Sequence, residues 1–175
     1  ADLTKPRYKD LLVTPGVDTS STGMAFMLGT VAEYGEGWPT YWKKLKANGA
    51  KVVAGWEDAY TVDFTAGGGN GTRPIVVSYA SSPPFTVPEG GSKPTTSALL
   101  DTCFRQTEYA GVLAGAANPK GGAAFVKFMT QKAFQAALPE NMYVFPADAT
   151  VPLPTEWAKW APLPAKPLSL PLDDI

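Results

Sequence analysis

Two aromatic rings and two carboxylates stand almost side by side at Trp56, Glu57, Asp58 and Tyr60, immediately after Gly55. A glycine-mediated turn from the apolar run Lys51-Val52-Val53 into a helix-like pattern presents an aromatic face and negative charge together. Such faces stack on flat rings and attract cations, worth about 0.5–2 kcal/mol per contact. Two further clusters carry side chains suited to recognition. Thr19, Ser20, Ser21 and Thr22 offer hydroxyls where a helix begins, beside free N–H groups that suit an anion such as phosphate. Tyr79, Ser81 and Ser82 follow another apolar run. Aromatic faces and hydroxyls without a base or metal cluster describe binding better than catalysis. Each residue also has a plain structural use. Trp56 can staple a helix to a sheet, Glu57 and Asp58 suit a first helical turn, and Ser20 to Thr22 are N-cap types.

Composition narrows the chemistry further. The chain of 175 residues contains no histidine and a single cysteine, Cys103. Histidine-based triads, imidazole-ligated zinc and thiol–imidazole pairs are therefore closed to this chain alone. Cys103 lies among Leu99, Leu100 and Phe104, a context that predicts a buried thiol. A net charge of −1 gives no electrostatic footprint for nucleic acid or an anionic membrane. The apolar fraction of 45% and charged fraction of 18% are those of a globular protein with a real core. No apolar run approaches membrane-spanning length, and the first residues do not read as a signal peptide.

The elements that must position these residues follow from periodicity and turn signals. Apolar runs at Leu11–Thr14, Ala50–Val53 and Pro74–Tyr79 predict three strands. Between the first two, Met24, Met27, Leu28 and Val31 form a core-facing helical stripe closed by Gly35. A second helix follows Pro39, with Trp38, Tyr41, Trp42 and Leu45 on its inner face and Asn48-Gly49 as its stop. The pattern after Gly55 predicts a third helix to about Ala66, broken by Gly67-Gly68-Gly69-Asn70-Gly71. That glycine run lacks the Gly-Lys-Ser/Thr ending of a phosphate loop and reads as a flexible connector away from the site. Phe85 to Thr96 is irregular, and extended stretches are expected at 98–104 and 107–114. Helices follow at Ala123–Met129, with Phe125, Phe128 and Met129 inward, and at Lys132–Leu138, before a strand-like Met142–Phe145. The proline-rich remainder reads as extended wrapping or linker, with a helical turn around Trp157 and Trp160. Strands alternating with helices predict a parallel α/β layer sandwich, with ligands at the carboxyl ends of the strands. The segments Asp18–Gly23, Gly55–Tyr60 and Tyr79–Ser82 all fall on that edge.

An ordered set of motifs resembles a known family. Gly55-Trp56-Glu57-Asp58-Ala59-Tyr60, then Val77-Ser78-Tyr79-Ala80-Ser81-Ser82-Pro83, then Gln106-Thr107-Glu108-Tyr109-Ala110-Gly111-Val112 resemble the thiamine-binding solute-binding proteins of ABC importers. Phe134-Gln135-Ala136-Ala137-Leu138-Pro139-Glu140 and Tyr143-Val144-Phe145-Pro146 continue the order, so the resemblance runs from about Leu11 to Pro146. It implies a three-layer, periplasmic-binding-protein-like (type II) α/β lobe with a mixed, mostly parallel sheet flanked by helices. Residues 1–150 would form the second lobe of a two-lobed protein, and 151–175 a proline-rich tail. The resemblance further implies binding without chemistry or cofactor in an inter-lobe cleft, with thiamine or a thiamine phosphate as transported ligand. The missing N-terminal lobe and a membrane ABC permease would be partners, and the location extracytoplasmic, in the periplasm or as a cell-surface lipoprotein. Ser20 would meet the ligand's phosphate or hydroxyethyl end, Trp56 would stack on or flank a ring, and Tyr79 and Ser82 would line the cleft. Tyr60 adds a second ring, Tyr143 stands where the family tends to place a tryptophan, and Phe85 where a tyrosine is common. The residues leave other readings open: a polyamine, phosphonate or iron binder of this fold, a pyrimidine-processing enzyme, or an effector-sensing domain.

Overall fold

The computed structural model describes residues 2–171; the last four residues of the expected tail, 172–175, lie outside the described residues. A parallel sheet of three strands, ordered β2-β1-β3, forms the centre. Strand β1 (Leu12–Pro15) is flanked by β2 (Lys51–Val53) and β3 (Ile75–Val76), with Val13 opposite Lys51 and Val76. Only β1 has neighbours on both sides, and it is buried along its whole length, as a central parallel strand requires. The Arg73 guanidinium reaches under this end of the sheet, donating at 2.7 Å to the carbonyls of both Leu12 and Gly49.

Helix α1 (Ser21–Tyr34) crosses from β1 toward β2, and α2 (Trp38–Ala47) returns the chain to that strand. The tight face of α1 differs from the expected stripe. Its buried residues are Thr22, Gly23, Gly29 and Thr30, while Met24 is exposed. The small residues win because backbone and rings approach closely there. A Cβ on Gly23 would overlap the carbonyls of Pro15 and Gly16, and Gly29 faces Phe104 and Leu168. The inner face of α2 is as expected: Leu45 is fully buried, and the Trp42 ring packs 5.5 Å from Phe26. The indole N–H of Trp42 donates to Thr30 Oγ1 at 2.8 Å, which satisfies the polar end of a half-buried ring.

Four further expectations change. The third helix is a short π-helical segment, Asp58–Asp63, in which the Phe64 amide reaches back five residues to the Ala59 carbonyl at 3.0 Å. The Thr61 hydroxyl takes the Glu57 carbonyl at 2.6 Å, a bond that competes with the regular helical ladder. No strand forms at 107–114 among the described residues. The preceding stretch contributes only a bridge between Phe104 and Leu168. Helix α3 (Pro119–Met129), capped by Asn118 Oδ1 on the Gly121 amide at 2.9 Å, leaves Phe125 and Phe128 exposed. Helix α4 (Lys132–Met142) runs through Pro139 and takes in Met142, Tyr143 caps it in the left-handed conformation, and no strand forms at 142–145.

The residues after 150 pack onto the rest. Helix α5 (Thr155–Trp160) buries Trp157, and Val151 and Ala161 on either side of it are buried too. The Leu168 backbone pairs with Cys103 and Arg105 at 2.7 and 2.9 Å. The Cys103 thiol is half-buried, not buried as its neighbours suggested, because Leu99 beside it is itself exposed.

Candidate functional site

Parallel pairing brings the three expected junctions to one edge. Beyond β1, the Gly16 amide donates to Val53 at 2.8 Å, and the Thr19 hydroxyl donates to the Ala54 carbonyl. The first junction is thereby tied to the start of the second. Pairing continues past β3, where the Val77 amide donates to Val13 at 3.0 Å and delivers Ser78 and Tyr79 beside Trp56.

Trp56 stands at the centre. Its ring stacks on Tyr60 four residues later, centroids 4.8 Å apart and planes 16° from parallel, as residues at i and i+4 on one helical face can. Tyr79 and Tyr143 approach it at 6.0 and 6.2 Å with tilted planes. Phe85 lies 4.4 Å from Tyr143 and continues the aromatic wall. The polar end of the Trp56 ring turns to a serine pair. The indole N–H of Trp56 donates to Ser78 Oγ at 2.9 Å, and Ser78 and Ser82 hydroxyls meet at 2.8 Å. Burial pushes the Tyr60 phenol up, with Ser82 opposing it. The bond to Ser78 occupies the Trp56 N–H, so what the wall offers an entering molecule is chiefly apolar ring surface.

A cavity of about 180 Å³ opens between these groups, lined by Trp56, Tyr60, Thr61, Gly67, Ser82, Phe85 and Tyr143. Five of the expected residues therefore share one cavity: Trp56, Tyr60, Ser82, Phe85 and Tyr143. Tyr79 flanks it through Trp56. Ser20 stands apart from this lining, its hydroxyl 3.0 Å from that of Thr22 at the start of α1. The neighbouring Ser21 hydroxyl lies 3.4 Å from the Tyr79 phenol, so α1 forms a shoulder beside the wall. The Asp58 carboxylate accepts from the Gly55 amide at 3.2 Å, a use internal to the turn.

Three residues of the site were not singled out by their sequence context. Thr61 arrives because the π-helical segment exposes it one position after Tyr60. Ser78 lies two residues beyond β3, and a hydroxyl just past a strand end was a usable signal. Gly67 carried the opposite expectation, since its loop was placed away from the site. Its loop instead folds back onto the π-helical segment, where a Cβ on Gly67 would overlap the Tyr60 carbonyl and one on Gly71 the backbone of Asp63. No group of His, Cys, Asp or Glu among the described residues could hold a metal ion.

No family model matches the chain. Curated relatives do. The thiamine-binding periplasmic protein of Brucella melitensis is 34% identical over 169 residues, covering 95% of this chain and 48% of that protein. The Escherichia coli protein of the same name is 30% identical over 142 residues, covering 81% and 42%. This chain is similar to proteins named thiamine-binding periplasmic proteins. It spans about half the length of the relatives it matches. A solved structure of a periplasmic thiamin binding protein shares the fold, with a TM-score of 0.72 at 22% identity over 99% of this chain and 52% of that one. The relatives are named as binding proteins, not enzymes, and as periplasmic.

Proposed function

We propose that this chain is the second lobe of a two-lobed solute-binding protein serving an ABC importer. Its aromatic cavity is one wall of a cleft for thiamine or a thiamine phosphate. The observation that carries the reading is the cavity lined by the rings of Trp56, Tyr60, Phe85 and Tyr143, in which the Trp56 indole N–H is already tied to the Ser78–Ser82 pair. Thiamine pairs a flat aminopyrimidine with a permanently cationic thiazolium, and both suit electron-rich ring faces. Ser20 and the start of α1 form the shoulder that would receive the hydroxyethyl or phosphate end. Binding is without chemistry, in an extracytoplasmic compartment, with delivery to a membrane permease.

The exposed surface supports the need for another lobe. Residues 106–113 form no regular secondary structure. Tyr109 and Leu113 on this stretch are 91% and 81% exposed, and Phe125 and Phe128 of nearby sequence are exposed too. Apolar side chains in such number at one part of a chain are suited to being covered.

The half-cleft reading sets an affinity. One or two ring contacts at about 0.5–2 kcal/mol each sum to no more than about 4 kcal/mol, which corresponds to millimolar dissociation. Titrating the 15N-labelled chain with thiamine by NMR should move the Trp56 indole and the Ser82 and Tyr143 amides, with a Kd of about a millimolar or weaker. Submicromolar binding would overturn the half-cleft reading. The absence of shifts at these positions at about ten times that concentration would overturn the ligand assignment.

A further inference from the structure

Tyr143 holds a backbone conformation that its residue type does not favour. Its φ of 59° and ψ of 22° place it in the left-handed region, where a Cβ is strained. Such a residue stays there only when its surroundings over-determine it. Two of the constraints are local to the cavity. The hydroxyl of Ser81, itself 1% exposed, donates to the Tyr143 carbonyl at 2.6 Å, and the Phe85 ring presses on the Tyr143 ring at 4.4 Å.

Phe85 is itself solvent-exposed on the cavity side and sits on a single 3-10 turn, Pro83–Thr86, which has little rigidity of its own. What fixes its ring from behind is Trp157. That indole, 2% exposed, meets Phe85 edge-on at 5.9 Å and 89°, and braces Phe145, two residues beyond Tyr143, at 5.3 Å and 79°. Trp157 thus touches both flanks of Tyr143 without lining the cavity.

We propose that Trp157, on the short helix of the proline-rich segment, is a positioning residue for the cavity. It sets the Phe85–Tyr143 wall from outside by bracing Phe85 and Phe145. The segment after residue 150 is then part of the recognition apparatus, and not a spacer. This role rests on the cavity being the binding site, but its first readout needs no ligand.

The test compares Trp157→Leu, which keeps apolar bulk and removes the ring edge, with Trp157→Phe, which keeps an aromatic edge. Leu45→Ala on α2 serves as a destabilised control remote from the cavity. In aromatic 13C NMR spectra of the free protein, Trp157→Leu should shift the Tyr143 and Phe85 ring signals, Trp157→Phe should restore them largely, and Leu45→Ala should leave them in place. Where thiamine binds the parent, Trp157→Leu should weaken it about fivefold and Trp157→Phe by less than about twofold, in keeping with one aromatic contact. Unchanged Tyr143 and Phe85 signals in a folded Trp157→Leu protein would overturn the proposal, as would equal losses in the Leu and Phe variants. Should Trp157→Leu fail to fold, Trp157→Met takes its place, with the same shift of the Tyr143 and Phe85 ring signals expected and the same refutation if a folded Trp157→Met protein leaves them unchanged. A parent that ignores thiamine yet shows these ring shifts refutes the thiamine assignment and leaves the positioning role standing.

Discussion

The bond between the Trp56 indole and Ser78 can be weighed by itself. The donor–acceptor distance is 2.9 Å, both residues are half-buried, and Ser78 also meets Ser82 at 2.8 Å. Ser78→Ala removes the acceptor of one bond and a partner of the other. A buried donor left unsatisfied costs about 1–3 kcal/mol, and partial exposure puts this case near the lower end, about 1 kcal/mol. Trp56→Phe removes the N–H while keeping a ring to stack on Tyr60, so the pair makes a clean cycle with Ser78→Ala. In urea denaturation followed by far-ultraviolet circular dichroism, each single variant should lose about 1–2 kcal/mol. The double variant should lose less than the sum, by a coupling of about 0.5–1 kcal/mol. In thermal melts, 1 kcal/mol is a fall in Tm of about 2–4 °C for a chain of this size. Strict additivity of the two substitutions would refute the claim that Ser78 holds the Trp56 ring.

Gly67→Ala should destabilise by about 2–3 kcal/mol, because the new Cβ would overlap the Tyr60 carbonyl. Gly68→Ala, at φ +88° in open space, should lose only about 1 kcal/mol, so equal losses in denaturant would remove the packed glycine loop from the argument. Tyr41, stacked on Tyr34 at 4.4 Å, has its phenol pushed up to about 12, first by burial and then by the Tyr34 charge. The folded protein therefore favours the neutral phenol. The associated stability is full below pH 10, where an unfolded tyrosine titrates, and is lost as pH rises toward 12. Tyr41→Phe should flatten that part of the stability–pH curve, and an ultraviolet phenolate titration should show one late tyrosine fewer. Burial, and less so Asp101, raises the Cys103 thiol. Its reaction with a disulfide reagent at mildly alkaline pH should run slower in the native chain than in urea, and equal rates would contradict this.

The sheet was legible because its signals are local. Three short apolar runs bounded by turn residues read as strands, and helical spacing between them implies parallel crossovers. The edge carrying Trp56, Tyr79 and Ser82 followed from that topology alone. Helix α1 shows where local reading fails. Its Met24–Val31 stripe looked like a core face, yet Thr22, Gly23, Gly29 and Thr30 are the buried residues and Gly23 the tight contact, since only neighbours distant in sequence decide which face is pressed. The expected strand at 142–145 failed for a similar reason: α4 absorbs Pro139, and Tyr143 is held in a left-handed conformation by Ser81, more than sixty residues away. The sequence by itself determined the α/β class, the site edge and the aromatic character of the wall, because these depend on residue type and on spacing within one element. Only the tertiary structure decided that Gly67 closes the cavity, that Ser78 ties down the indole, that Ser20 stands on a shoulder beside it, and that Trp157 braces the wall. Those are contacts between segments whose approach is set by packing, which no local pattern encodes.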